Sequence, residues 1–403
     1  MMSTFLLAVL AVSAHGIGQK PGPKPVDQQG KDPYVNCPYC NHVGDKVCKK
    51  HSKAKMGWVT DSGSIRCSVV AGCKTCRGTL REDCKHCENQ TVEGRNKAKG
   101  DEIQAWLAER RTTVDGLIGH KVLHAESRWF RLTFDLKPMM VGRVRYSTYR
   151  LMHLYLKRFE AHRALFQEVL QVPMRDLPDK CDIYMWRDGR DQVFAATKFT
   201  GMGSSGVGIK LMGLHSRYTM QFIRRQIRND EDLHRHMVHN IAHLLVSQMI
   251  PHQWIGKLKA GWIDAGIAHY FEFKLDEKCT TYCWQEVVKE TNFKGGKWLV
   301  PVRRKVASRQ IPSFAAVSTK NTDQIGPEEH ALAFSYVHFL LEGDFENDLV
   351  KKHGGKGRAL CVAIRVLKAK RPTRDALSAG YGWNPLVFEE KWKEWVLRTY
   401  PVR

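Results

Sequence analysis

Residues 34–92 contain a repeated spacing of cysteine and histidine that restricts how this part of the chain can fold. A pair-gap-pair pattern occurs twice, with two residues between the members of a pair and seven between the pairs. Two such pairs supply the four ligands of a tetrahedral Zn²⁺ site, in which histidine can replace one thiolate. The sequence therefore predicts two structural zinc sites and leaves open which pairs share a metal. The ligands are Cys37, Cys40, Cys48 and His51 in the first copy, and Cys73, Cys76, Cys84 and Cys87 in the second.

This cysteine-rich region resembles zinc-ribbon domains and chaperone-type cysteine-rich zinc domains. The alternative is a disulfide framework, which an oxidising compartment would favour. Adjacent pairs separated by only two residues make strained disulfides, so the spacing favours zinc. In either case the role is structural, because a closed four-ligand site contributes folding free energy rather than catalysis.

The N-terminus has the features of an export signal. Residues 1–14 hold the apolar run 5–12 followed by Ser13 and Ala14, and this run is far too short to span a bilayer. Residues 15–33 are a linker rich in Pro, Gly, Gln and Lys. No later stretch is long and apolar enough for a transmembrane helix. We therefore expect an exported protein without a transmembrane segment, located in the periplasm, at the cell surface or secreted.

The rest of the chain predicts an α+β fold. Residues 93–125 comprise a polar joint, Gly94 to Gly100, and a helix from about Asp101 to Arg111, and residues 126–403 form one larger domain. Alternating apolar residues at 129–136 predict a strand, residues 148–172 have helical periodicity, and residues 183–186 predict a second strand. Beyond residue 212 the pattern is mainly helical. We expect a small mixed sheet followed by a mainly helical half.

Two histidines on one predicted helix have the spacing of a metal site. Residues 232–245 are amphipathic, and His239 and His243 are four residues apart, so both imidazoles project from the same face. This is the geometry of the zinc-binding H-E-x-x-H helix. A second helix follows at residues 261–272.

These two helices resemble those of the gluzincin, or peptidase MA-like, family of zinc metallopeptidases. The second helix matches the family pattern at Trp262, Gly266, Ala268 and Tyr270, and the resemblance covers residues 126–403. It implies a gluzincin-like core, a zinc ion on the two histidines of the first motif, and a glutamate on the second helix as the third ligand.

The sequence departs from the family pattern at both carboxylates. Asn240 stands where the family has the glutamate that acts as general base, and an amide cannot accept the proton. Ala265 stands where the family has the third zinc ligand. His269 lies one turn beyond Ala265 and could approach a metal held by His239 and His243. We therefore expect no intact catalytic residues and leave zinc binding by the core open.

The formal net charge of +23 favours anionic partners, although dispersed charges of this kind also serve solubility. Three functions follow. The leading one is a catalytically inactive metallopeptidase-like protein that binds or scaffolds an extended peptide or protein. The second is an active zinc metallopeptidase with a site rebuilt around His269. The third is binding of an anionic polymer, such as nucleic acid, through the zinc ribbon and the basic surface.

Overall fold

The computed structural model describes residues 39–40, 43–86, 90–203, 208–222, 227–282 and 293–403. The predicted signal peptide and linker lie outside these residues. The strands are β1 (Asp45–Val47), β2 (Arg66–Cys67), β3 (Arg81–Asp83), β4 (Leu123–Glu126), β5 (Phe130–Phe134), β6 (Met139–Val141), β7 (Val144–Tyr146), β8 (Cys181–Trp186), β9 (Gly208–Leu211) and β10 (Arg217–Gln221). The helices are α1 (Lys53–Asp61), α2 (Ser68–Ala71), α3 (Gln90–Arg110), α4 (Gly116–Ile118), α5 (Thr148–Leu170), α6 (Gly189–Ala195), α7 (Asp230–Gln248), α8 (Gly261–Asp276), α9 (Leu299–Ala307), α10 (Phe314–Val317), α11 (Pro327–Glu342), α12 (Asp348–His353), α13 (Lys356–Lys368), α14 (Thr373–Tyr381) and α15 (Pro385–Thr399).

Six strands form one mixed sheet in the order β2-β4-β5-β8-β10-β9. β8 pairs in parallel with both β5 and β10, and the other neighbours are antiparallel. Two small ladders, β1–β3 and β6–β7, complete the strands described. All the regular elements described from α7 onward are helices. The prediction of a mixed α/β protein whose small mixed sheet precedes a mainly helical half is confirmed.

The cysteine-rich region contributes a strand to the main sheet. β2 pairs with β4, with Arg66 opposite Glu126 and Cys67 opposite Ala125. Cys48 and Cys76 also pack into the same hydrophobic cluster as the sheet and the helices of the core. The predicted domain boundaries stay a prediction, but the two parts share both a sheet and a core.

One long helix covers a face of the sheet. α5 begins after Ser147, whose side chain accepts from the backbone N–H of Arg150, and packs against β4 and β5. Its buried positions Leu151, Tyr155 and Phe159 recur at helical spacing. Each such side chain contributes about 1.5–3 kcal/mol by leaving water, so this face is what anchors α5.

In the helical half, α8 packs tightly between α7 and α11. Gly266 makes the approach to α11 possible, because a β-carbon there would lie 2.4 Å from the carbonyl oxygen of Ala333. The absence of a side chain therefore lets the two helix backbones meet. This packing brings residues of α8 and α11 beside the histidines of α7.

The helix before the sheet differs from its sequence prediction. α3 begins at Gln90, so the stretch 94–100 is helical rather than a flexible joint. Gly100 is buried against the side chain of Arg77, which explains why a polar, glycine-containing run is helical here.

None of the helices among the described residues has both the length and the apolar character needed to cross a membrane.

Candidate metal centres

The second and third ligand pairs of the cysteine-rich region come together. One ligand atom from each of Cys48, His51, Cys73 and Cys76 lies within 4.8 Å of the others. The Nε2 atom of His51 is 3.2 Å from the Sγ atom of Cys76. Three thiolates and one imidazole at such separations fit tetrahedral Zn²⁺. The structure thus supports a pairing that the spacing alone had left open.

The short β1–β3 ladder produces this pairing. The backbone N–H of Cys48 donates to the carbonyl of Leu80 at one end, and that of Cys84 donates to the carbonyl of Gly44 at the other, each over 3.0 Å. The first end places the pair at 48 and 51 beside the pair at 73 and 76. At the second end Cys40 and Cys84 pack together as a buried cluster.

The second predicted zinc site stays a prediction. Cys37 and Cys87 lie outside the described residues, and Cys40 and Cys84 are the two members of that set whose positions the structure gives. Cys40 and Cys84 would have to lie close together, as they do, in a zinc site formed by the first ligand pair (37 and 40) and the fourth (84 and 87).

The thiols of the first site have altered acidities. Burial raises the pKa of Cys76 to about 12 and also raises that of Cys48. Burial acts the same way on Cys73, but backbone N–H groups of Cys76 and Thr75 outweigh it and lower its pKa. Cys48, Cys73 and Cys76 form no disulfide. Metal binding would displace the protons held by the buried thiols.

In the core, α7 brings His239 and His243 to one buried face. Both side chains are almost fully buried, and their Nε2 atoms are 3.3 Å apart. Two imidazoles bound to one tetrahedral zinc place their nitrogens about 3.4 Å apart, given Zn–N bonds of about 2.1 Å. The helix begins after Asn229, whose side chain accepts from the N–H of Asp232, and three acidic residues in its first turn favour this end.

Two buried carboxylates from α8 hold the other nitrogen of each ring. Glu272 Oε2 lies 3.3 Å from Nδ1 of His239, and Asp264 Oδ2 lies 3.1 Å from Nδ1 of His243. Carboxylates in this position are the usual partners of metal-binding histidines, because they orient the ring and increase its basicity.

Both carboxylates are themselves anchored. Asp264 accepts from Nε1 of Trp254 and from the hydroxyl of Thr322, each over 3.0 Å. Glu272 Oε1 accepts from the backbone N–H groups of Thr280 and Thr281, over 2.6 and 2.8 Å.

The acidities of the two carboxylates agree with this arrangement. Burial by itself would raise the pKa of Glu272, but hydrogen bonds from His239 and His269 lower it to about 2. Burial likewise opposes ionisation of Asp264. The interaction of this carboxylate with His243 outweighs the effect of burial, so the pKa of Asp264 is also lowered. Both groups are therefore anionic and favour protonated Nδ1 atoms on the rings that they contact.

The contacts of Asp264 and Glu272 with the Nδ1 atoms determine which nitrogen of each histidine can face a metal. With Nδ1 protonated and donating to a carboxylate, each neutral ring directs its Nε2 lone pair toward the other ring. At 3.3 Å the two Nε2 atoms are close enough to share a proton in a hydrogen bond or to bind one cation together. The donor set, its spacing and its carboxylate partners fit a divalent transition metal held by His239 and His243.

His269 lies on the Nδ1 side of His239. Its Nδ1 is 3.2 Å from Glu272 Oε2, and its Nε2 is 3.1 Å from Nδ1 of His330 on α11. Ligand atoms of His239, His269 and Glu272 lie within 4.8 Å of one another, so they form a second group able to hold an ion. The rings of His269 and His239 are 4.6 Å apart, and the predicted approach of His269 to a metal held by His239 and His243 stays a prediction.

Asn240 and Ala265, the positions at which the sequence departs from the gluzincin pattern, lie on α7 and α8. The side-chain amide of Asn240 donates to the backbone carbonyl of His236 over 2.8 Å. Ala265 is fully buried and supplies no ligand atom. The amide of Asn240 is not basic, and the methyl group of Ala265 cannot bind metal.

Sequence reasoning missed the carboxylates and His330. Asp264 lies beside Ala265 on α8 and contacts His243. The available signal was the set of ionisable residues in an otherwise apolar helix, Asp264, His269 and Glu272, because buried charges need partners.

Beyond the geometry, comparison with known proteins provides no relative. No family model matches the sequence, and no curated protein or solved structure is significantly similar to the chain.

Proposed function

We propose that residues 126–403 form a peptidase MA-like domain that has kept a metal-binding histidine centre but does not hydrolyse peptides. In this proposal the protein is exported, and it acts by binding an extended peptide or protein. The cysteine-rich region is a structural module stabilised by zinc.

The proposal rests on a contrast. The carboxylates that orient His239 and His243 are present, whereas the carboxylates that would take part in hydrolysis are not. The partners that orient the rings are present and anchored, namely Asp264 and Glu272. The groups that would perform hydrolysis are replaced by Asn240 and Ala265. Loss of a general base typically reduces the rate by about 10²–10⁴-fold.

A metal at His239 and His243 would act as a Lewis acid on a ligand carbonyl. The role of the protein residues is distinct. Glu272 and Asp264 fix the tautomer and direction of the two rings, and Asn240, whose amide N–H donates to the carbonyl of His236, has no basic group to take a proton from water. This combination supports coordination of a carbonyl or carboxylate without attack on it.

The sheet supports the choice of an extended chain as ligand. β9 ends the six-stranded sheet as described, and α7 packs against both β9 and β10. An edge strand offers backbone N–H and C=O groups to an added strand. The edge therefore lies beside the helix that carries His239 and His243.

Wild-type protein, loaded with zinc, is expected to release no product from casein or from a mixture of fluorogenic peptides above the level seen with a chelator. His239→Gln serves as the matched control and should give the same baseline. Hydrolysis that both the chelator and His239→Gln abolish would contradict the proposal and favour the active enzyme. His269→Gln would then test whether His269 completes that site.

A further inference from the structure

The tip of the cysteine-rich region carries a concentration of lysines that the proposed peptide-binding function does not use. Lys49 and Lys50 fill the turn between Cys48 and His51, and Lys74 lies in the turn between Cys73 and Cys76. Because both turns converge on one metal site, the three ammonium groups share one end of the module. All three lysines are exposed.

Two more lysines extend this surface. α1 starts directly after His51 and Ser52, and Lys53 and Lys55 occupy its first turn. The backbone N–H of Lys55 donates to the side chain of Ser52, the residue directly after the ligand His51, over 3.3 Å. We call Lys49, Lys50, Lys53, Lys55 and Lys74 the lysine tip.

The lysine tip is poorly neutralised by the protein. No member forms an ion pair with a carboxylate within the ranges that the structure describes. Among the acidic residues of the module, Asp45 pairs with Arg81 and Glu82 pairs with Lys46. A site of three cysteines and one histidine carries three thiolate charges, so with a divalent metal its net charge is only about −1. The tip therefore keeps a strong positive potential.

The first turn of α1 places this charge where the helix itself disfavours it. The N-terminal turn contains no acidic residue and two lysines, although the helix dipole favours anions there. An external anion bound at the tip would interact favourably with both the lysines and the N-terminal end of α1.

An exposed aromatic pair lies at the other end of the same ladder. The rings of Tyr39 and His86 stack with centroids 3.8 Å apart, next to Lys85, and Tyr39 is 62% exposed. The β1–β3 ladder, three residue pairs long, lies between this pair and the lysine tip. Phosphate-binding lysines near an exposed stacking surface are the two features of sites for single-stranded nucleic acid.

We propose that the lysine tip, together with the Tyr39–His86 pair, binds single-stranded nucleic acid through its phosphates and one or more stacked bases. This site is separate from the histidine centre. An acidic polysaccharide or an anionic membrane lacks bases to stack, so the aromatic pair favours nucleic acid over both.

The test uses full-length protein and a fluorescein-labelled 20-nucleotide oligodeoxythymidylate, with anisotropy measured across a salt series. The variant Lys49→Gln/Lys50→Gln/Lys74→Gln removes three charges from the tip and leaves every metal ligand in place. The matched control Lys137→Gln/Lys157→Gln/Lys352→Gln removes three exposed charges elsewhere. Heparin and vesicles containing phosphatidylserine are the competing probes.

We expect the tip variant to raise Kd at least about tenfold at about 0.1 M salt. The slope of log Kd against log salt should fall by about two, since each phosphate contact on a single strand contributes about 0.7. The control variant should change Kd less than about twofold, and Tyr39→Ala should weaken binding at least about fivefold.

Equal losses in the tip and control variants would overturn the proposal, as would binding of heparin or vesicles without binding of the oligonucleotide. Metal content is measured alongside. If the glutamine variant loses its metal, Lys49→Arg/Lys50→Arg/Lys74→Arg replaces it, because arginine keeps the charge. That variant must bind within about threefold of wild type, and a tenfold loss would also overturn the proposal.

Discussion

Replacing Cys76 with serine is expected to remove one bound metal per chain and to unfold the cysteine-rich region. Structural zinc contributes about 10–16 kcal/mol of apparent binding free energy at pH 7, and that energy is available only to the folded state. Cys76 also packs in the shared hydrophobic cluster. The measurement is metal content by mass spectrometry together with the melting temperature, which should fall by more than about 10 °C.

The effect should extend into the main sheet. β2 lies between the two ligand pairs of this site and pairs with β4. Loss of the metal therefore exposes a strand of the sheet as well as the module itself. Amide hydrogen exchange in β4 should increase in the variant.

Cys361→Ser is the matched control for this prediction. Cys361 is equally buried, and its thiol donates to the carbonyl of Leu170 over 3.0 Å, a bond that serine can replace. Metal content should not change in this control. An unchanged metal content in Cys76→Ser, or a Cys73–Cys76 disulfide in the wild type, would contradict the zinc assignment.

The second large effect is a gain of activity in Asn240→Glu/Ala265→Glu. The first change introduces a general base one residue after His239, and the second introduces a carboxylate on α8. Since the rings are already oriented by Glu272 and Asp264, chelator-sensitive peptide hydrolysis should rise at least about 100-fold above wild type. The assay is the fluorogenic peptide mixture used for the wild type.

Three variants accompany this experiment. Asn240→Glu alone lacks the third ligand and should gain less than the double variant. Adding His243→Ala to the double variant should abolish the gain. A folded double variant that binds zinc but stays inactive would show that the core lacks the geometry of a gluzincin.

The sequence predicts individual ligands better than their partners. The C-x2-C and C-x2-H spacings identify the thiols, because a local turn determines the distance within each pair. Which pairs meet depends on the β1–β3 ladder, whose two three-residue strands are far apart in sequence. Short strands of that kind carry almost no periodic signal.

The core likewise contains ligands that the sequence predicts and partners that it does not. His239 and His243 are predictable because helical spacing alone places them together. Glu272 and His330 are not, because their contacts depend on the packing of α8 against α7 and α11. The start of α3 was wrong for a related reason, since tertiary contact of Gly100 with Arg77 outweighs the local preference of a polar, glycine-containing run.

The central claim is that the core holds a metal between His239 and His243 without hydrolysing peptides. The most direct measurement is the metal content of zinc-equilibrated, dialysed wild type against His239→Gln/His243→Gln, with peptide hydrolysis assayed on the same samples. We expect one metal equivalent fewer in the variant, an unchanged cysteine-site metal, and no hydrolysis by either protein. Equal metal contents, or chelator-sensitive hydrolysis by the wild type, would contradict it.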